Sequence, residues 1–223
     1  MNNEKRREKR KLIFTATLLC VTLFVMVVMI LASCTKKPAY NKDDFEMDGT
    51  VLVKYKGNAE NVTIPEGVTI FGDGAFEGYT SLTSVTIPEG VTAIVNSAFR
   101  ECKNIKSVTI SASVTSIGDT AFAFCESLTS INIPSSVTSI EDCAFYGCTS
   151  LVNLTIQEGV ISIGNSAFAG NISLTSVTIP SSVASIGYSA FGWCENLRTV
   201  TVSRKLTIDQ SAFPPTARIV YSD

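Results

Sequence analysis

The sequence contains no histidine. That absence removes the Ser-His-Asp and Cys-His arrangements on which most nucleophilic hydrolases depend. The chain has seven cysteines, but none stands in a C-x-x-C pair, so the usual thiolate and imidazole spacings for zinc are missing as well. There is no Gly-Lys-Ser or Gly-Lys-Thr. Gly72-Asp73-Gly74 lacks the further glycine that a phosphate loop needs, and it reads as a backbone corner. Acidic residues stand singly or recur at one fixed spacing, so no carboxylate pair is set up for acid–base work. These absences argue against an enzyme, a metal site and a cofactor.

Charge is scarce too, at 17% of residues, and it is unevenly placed. Residues 1–11 carry Lys5, Arg6, Arg7, Lys9, Arg10 and Lys11 against Glu4 and Glu8. From Leu12 to Ser33 there is no charge, and Leu31-Ala32-Ser33-Cys34 follows at the end of that run. A basic start, an apolar stretch and small residues before a cysteine resemble the signal and lipobox of bacterial lipoproteins. The resemblance implies that Cys34 is lipid-modified and becomes the new N-terminus. An uncleaved transmembrane anchor is the alternative, because about 20 apolar residues can span a bilayer. Both readings leave the rest of the chain outside, held at a membrane. Beyond residue 33 the chain keeps 12 basic and 18 acidic residues, a net charge of −6. Nucleic acid, which needs a basic face, is therefore not an expected partner. Arg198, Arg204 and Lys205 are the one basic group near the end of the chain, and they read as solvation of the last repeat.

What the chain has in abundance is repetition. Phe76, Phe99, Phe122, Phe145, Phe168 and Phe191 each follow an alanine and stand 23 residues apart, with Phe213 22 further on. Self-similarity at a period in the twenties is the signature of a solenoid. Within each unit a leucine or isoleucine (Leu128) is followed three residues on by a β-branched or leucine residue (Ile131) and two further by another (Ile133). That ending at period two reads as a short strand with one buried face. Pro65, Pro88, Pro134 and Pro180 stop the strand, since proline has no N–H to donate. A second inward run follows, as in Val137 and Ile140. Gly72, Gly118, Gly164 and Gly187 then mark a sharp turn, and Asp73, Asn96, Asp119, Asp142 and Asn165 read as N-caps of a single helical turn carrying the A-F pair. A lone unit buries too little to offset the entropy of ordering it; stacking on both neighbours supplies the difference.

The L-T-S-V-T-I-P run, V-x-S-I-G, A-F and the following cysteine resemble the BspA-type leucine-rich repeat, from Val62 to Phe213. That family occurs on bacterial and some protozoan cell surfaces. The resemblance implies a β-rich solenoid of 23-residue units with a parallel β-sheet and short helical turns. It also implies adhesion or recognition at the cell surface, and it carries over no catalytic residue. The expected organisation is a signal with lipobox over residues 1–33, a polar tether over 34–48 and an N-terminal cap over 49–60. The solenoid of about seven units covers 61–213, and 214–223 close it. Atypical ends are usual in repeat proteins, whose open apolar faces need cover.

Cys102, Cys125, Cys148 and Cys194 occupy one repeat position, where Tyr79 and Asn171 stand in other units. Stacked side chains point in parallel about 4.8 Å apart, wider than the Cβ separation a disulfide prefers. Free buried thiols are the expected reading, with a Cys102–Cys125 or Cys125–Cys148 bond as the alternative.

Two surfaces are candidates for binding. The outward strand positions form columns of Ser, Thr and Asn, such as Ser84, Ser107 and Ser130, or Thr86, Thr109 and Asn132. The other surface lies around the A-F turn, where Phe124, Tyr146, Tyr188 and Trp193 break the pattern of small and polar residues. Exposed aromatics are enriched at recognition sites, so these four are the candidate binding residues. The expected function is a membrane-anchored module at the cell surface that binds a protein or glycan ligand. An envelope spacer without a specific ligand is the alternative.

Overall fold

The computed structural model describes residues 41–222, and the lipobox with Cys34 lies outside them. Every 23-residue unit makes one rung with three sides. The first side holds the strands ending in the L-x-x-V-x-I run: β3 (Asn61–Thr63), β5 (Ser84–Ile87), β7 (Ser107–Ile110), β9 (Ser130–Ile133), β11 (Asn153–Ile156), β13 (Ser176–Thr178) and β15 (Thr199–Ser203). They pair in parallel and in register from β3 to β11 and again between β13 and β15, with Val85 beside Val108 and Ile131 beside Leu154. The second side consists of two-residue strands: β4 (Ile70–Phe71), β6 (Ala93–Ile94), β8 (Ser116–Ile117), β10 (Ser139–Ile140), β12 (Ser162–Ile163) and β14 (Ser185–Ile186). Short as they are, these belong to the longest continuous sheet, of eight strands.

The two extra strands of that sheet form the N-terminal cap. β1 (Phe45–Asp48) and β2 (Val51–Tyr55) make an antiparallel hairpin, and β2 continues in parallel onto β4. Residues 45–48, read from sequence as part of the polar tether, are thus the outermost strand. The reason is Phe45, which is buried against Tyr55 with ring centroids 5.1 Å apart. At the other end β16 (Arg218–Ser222) pairs in parallel with β15, after the Pro214-Pro215 break.

The third side carries the A-F pair, and it corrects the expected helical turn. Inner rungs have no helix there. Alternate N–H groups cross to the next rung: Thr120 donates to Asp142 O, Phe122 to Ala144 O and Phe124 to Tyr146 O. The residues between them turn back locally, as Ala121 does to Gly118 O and Ala123 to Thr120 O. Such alternation needs a left-handed backbone at two positions per rung. One column is Gly74, Ser97, Thr120, Cys143, Ser166 and Ser189, and the other is Gly78, Glu101, Phe124, Gly147, Gly170 and Trp193; every member has positive φ. In the last unit, where there is no further rung to bond, the segment Gln210–Ala212 is a 3-10 helix. The Asp/Asn column also differs from expectation. Its side chains bond across rungs rather than cap helices: Asn96 Oδ1 accepts from the Asp119 N–H and Asn165 Oδ1 from the Tyr188 N–H. Gly118 is required by closeness, because a Cβ there would lie 2.8 Å from the backbone of Val95 in the rung before.

All three sides enclose one apolar core. Phe76, Phe99, Phe122, Phe145, Phe168 and Phe191 are fully buried and stack along it, with centroids 4.9–5.2 Å apart and planes within 13°. Tyr55 extends the stack from the cap onto Phe76, and Phe213 ends it on Phe191.

Candidate functional site

The cysteine column serves the core. Each buried thiol donates to the phenylalanine carbonyl of the preceding unit: Cys102 to Phe76 O, Cys125 to Phe99 O, Cys148 to Phe122 O and Cys194 to Phe168 O, at 3.0–3.2 Å. All four are free thiols. Asn171 fills the same role, its Nδ2 donating to Phe145 O and Phe168 O. From Cys102 onward the position therefore asks for a small donor, which explains how Cys and Asn exchange there. Burial pushes Cys102 and Cys148 up to about 12 and Cys194 to about 11. Thiols held so far from ionisation are inert near neutral pH.

The four aromatic candidates behave differently. Phe124, Tyr146 and Trp193 are brought together on the surface of the third side. Phe124 meets Tyr146 edge-on at 5.3 Å and 75°, and Tyr146 meets Trp193 at 6.3 Å and 85°. Trp193 is 62% exposed. Tyr188 is the most open, at 70%, and no ring contact joins it to the other three. Its backbone is fixed in the Asp/Asn column instead.

Small residues on two adjacent columns make room for the three rings. Phe124 and Trp193 stand in the left-handed column, with Gly147 and Gly170 between them. Tyr146 stands in the neighbouring column, flanked by Ala123 and Ala169, both buried. The strip zigzags between the columns over a floor of glycine and alanine. A Cβ on Gly147 would meet the Phe124 ring at 3.0 Å, so the ring already lies over that glycine. In the first two rungs the same columns hold charge. Arg100 bridges Glu77 and Glu101 at 2.7 and 2.9 Å.

A shallow hollow of about 440 Å³ opens on one side of the strip, lined by Ser97, Arg100, Thr120, Ala123, Phe124, Cys143 and Tyr146. Another, of about 370 Å³, lies beside Trp193 and is lined by Ser189, Gly192, Glu195, Ser211, Phe213, Pro214, Pro215 and Thr216. Cys143 faces the first hollow half-exposed, its thiol raised by burial and then by Asp119 and Asp142. The hollow residues were not visible from the sequence. The available signal was the run of glycines at 147 and 170, which is where a bulky residue is kept out.

The Ser/Thr/Asn columns of the first side are exposed or half-exposed, as expected. Of the basic residues near the end, Arg198 donates to the carbonyls of Glu195 and Leu197, and Arg204 lies over the Tyr221 ring at 5.9 Å. Among the described residues no group of three or more His, Cys, Asp or Glu side chains could hold a metal ion. Among them, too, no helix is long and apolar enough to cross a membrane.

The repeat of 23 residues, its three sides and the parallel pairing between rungs agree with a family profile. The BspA type Leucine rich repeat region, in 6 copies, matches residues 53–142 and 115–221. The chain belongs to the BspA-type leucine-rich repeat family. Among solved structures it is similar to the leucine-rich repeat protein of T. pallidum, at 26% identity and a TM-score of 0.54, covering 73% of this chain and 70% of that one. It is also similar in fold to the pneumococcal vaccine antigen PcpA, at 19% identity and a TM-score of 0.54. That match covers 80% of this chain but 40% of PcpA. No curated protein matches the sequence. Leucine-rich repeat proteins are interaction modules, and this chain is a repeat module of that kind.

Proposed function

We propose that the chain is a surface-displayed recognition module that binds a protein partner through the third side, with Phe124, Tyr146 and Trp193 as its anchor. The observation that carries this reading is where the rings sit. Phe124 and Trp193 occupy a column whose backbone is left-handed in all six rungs from Gly78 to Trp193 and which is glycine at 78, 147 and 170. A bulky residue there costs about 1–2 kcal/mol in backbone energy, and most of the Trp193 ring faces solvent. Packing does not account for such a placement, whereas a partner that covers the rings does. The exposed patch has the make-up of an interface core: clustered aromatics with charge kept to the margin. Display at the surface rests on the order of the first 34 residues, with Cys34 as the lipid-bearing residue.

Two experiments test the reading. The full chain is immobilised beside a variant carrying Phe124→Gly, Tyr146→Ala and Trp193→Gly, and both are probed with purified extracellular-matrix proteins. A saturable partner for the native chain that the variant binds at least about 30-fold more weakly supports the module. Equal binding moves the site to the Ser/Thr columns, and no partner at all favours the spacer. Separately, Cys34→Ala should block lipid labelling and leave a precursor 33 residues longer; normal maturation of that variant rules out the lipid anchor.

A further inference from the structure

Resting on that reading, we infer that the hollow beside Trp193 takes a neutral sugar unit from a glycan of the partner. A backbone bond is missing there. In the Trp193 column, the N–H groups of Gly78, Glu101, Phe124, Gly147 and Gly170 each donate to a carbonyl of the next rung. Trp193 shares their left-handed backbone, so its N–H points the same way along the solenoid. Among the described residues it finds no acceptor. Pro214 and Pro215, where the repeat breaks off, wall the hollow instead.

Three side chains add to this open donor. The indole N–H of Trp193 and the hydroxyl of Ser189 have no hydrogen-bond partner, and the Glu195 carboxylate has neither a hydrogen bond nor an ion pair. Ser211 brings a further hydroxyl to the wall, and Phe213 and the two prolines bring apolar surface. The hollow beside Phe124 is different, because its polar groups satisfy one another. Ser97 Oγ and Thr120 Oγ1 lie 2.9 Å apart, and Arg100 is held by Glu77 and Glu101. Unspent hydrogen-bonding capacity is thus gathered around Trp193.

These groups select a ligand by what each class cannot satisfy. A cation can pair with Glu195 but cannot accept from either N–H of Trp193. An anion can accept from both, but Glu195 repels it. A neutral hydroxyl does both jobs on one oxygen: it accepts from an N–H and donates to a carboxylate, the second as a charge-assisted bond. A peptide divides those jobs between separate atoms and must bring a side chain for the ring as well. A sugar ring carries several hydroxyls around its edge and a face of C–H groups that can lie on the indole. Size agrees, since about 370 Å³ is near the lower end of the roughly 300–1,000 Å³ typical of small-molecule sites. Tyr146 meets Trp193 edge-on at 6.3 Å and holds the ring in place before a ligand arrives, which lowers the cost of binding.

Trp193 is the only tryptophan in the chain, so its emission reports on the hollow directly. The full chain, held in a detergent without a sugar headgroup, is titrated with the methyl glycosides of glucose, galactose and mannose. Glucuronate, tetramethylammonium and a glycine–serine decapeptide serve as the anionic, cationic and peptide probes. The expected result is a saturable change with at least one methyl glycoside and a response several-fold weaker with the other three probes. Saturation-transfer NMR on that glycoside then reads the variants. Trp193→Gly should abolish the transfer, and its fold is preserved because glycine already fills the position in three rungs. Trp193→Phe, which keeps a ring but loses the indole N–H, should retain part of it. Glu195→Gln should weaken the glycoside several-fold and relieve the discrimination against glucuronate. A flat titration with all three glycosides, an equal or stronger response to any of the other probes, or undiminished transfer in Trp193→Gly overturns the sugar occupant. If a matrix protein still binds in a ring-dependent manner, and equally well after its glycans are removed, the sugar occupant fails while the recognition module stands.

Discussion

The molecule builds two sets of aromatic rings on the same side of the same rungs, and they obey opposite rules. The core set is one residue type at one position, stacked nearly parallel and closed to water from Phe76 to Phe191. The surface set is three residue types on two columns, in contact edge-on, and open at Trp193. Stacking in the core follows from the repeat: identical side chains at identical positions, one rung apart, have little choice but to lie parallel. On the surface no repeat imposes an arrangement, and each ring stands where its neighbours in the column are glycine or alanine. Regularity marks what the fold needs. Departure from it, at a backbone position that disfavours large side chains, marks what the fold does not need.

The sharpest way to break this comparison is to remove one ring from each set. Phe145→Ala, with a stacked neighbour on both faces, should cost about 3–5 kcal/mol in chemical denaturation. Phe213→Ala, at the end of the stack with Phe191 alone, should cost clearly less. Equal small losses at the two positions would mean that the stack is not the shared core. Trp193→Gly should leave the unfolding midpoint unchanged or raise it, since glycine relieves a left-handed residue of about 1–2 kcal/mol against its own entropic cost of about 0.5–1 kcal/mol. A fall in the midpoint comparable to that of Phe145→Ala would place Trp193 among the structural rings.

Smaller effects refine the core side. Asn171 is fully buried and its Oδ1 has no partner. Asn171→Cys keeps a donor to the phenylalanine carbonyls and removes the orphan acceptor, so it should add about 1 kcal/mol; a loss of that size would show that the second amide bond, to Phe168 O, outweighs the orphan. The thiols give the pH dependence. Their folded pKa values are raised, so their contribution to stability is full below the unfolded thiol value and is lost as pH rises toward 11–12, where Cys194, Cys102 and Cys148 ionise. The midpoint should therefore fall between about pH 9 and 12. Peptide mapping after alkylation at pH 8 should find Cys143 labelled well before the four column cysteines. Early labelling of Cys125 or Cys148 would mean that the column opens locally.

Much of this was legible in the residues. The 23-residue period, the buried positions, the proline stops and the column of buried free thiols could be read because each repeats, and repetition averages away local ambiguity. The third side departs from the expected helical turn for a physical reason. The sequence A-F-x-x-C has the spacing of one helical face, but a neighbouring rung 5 Å away offers carbonyls to alternate N–H groups, and inter-rung bonds outcompete a short helix. The 3-10 turn at Gln210–Ala212, where that neighbour is missing, shows the preference the segment has when left to itself. Phe45 falls within the expected tether because one apolar residue among charges carries little signal until Tyr55 lies beside it.

Sequence by itself determined that the chain is a solenoid, which side chains fill it and which positions depart from the rule. It could not determine that Phe124, Tyr146 and Trp193 touch while Tyr188 stands apart, because the first three are spaced unequally along the chain. Only stacking converts separation in sequence into distance: a residue 23 positions away is a nearest neighbour, and one four or five positions away can face another side. The contact of Tyr146 with Trp193, 47 residues on, needs the flat floor of Ala169 and Gly170 between them. That floor exists only once the rungs are laid on one another.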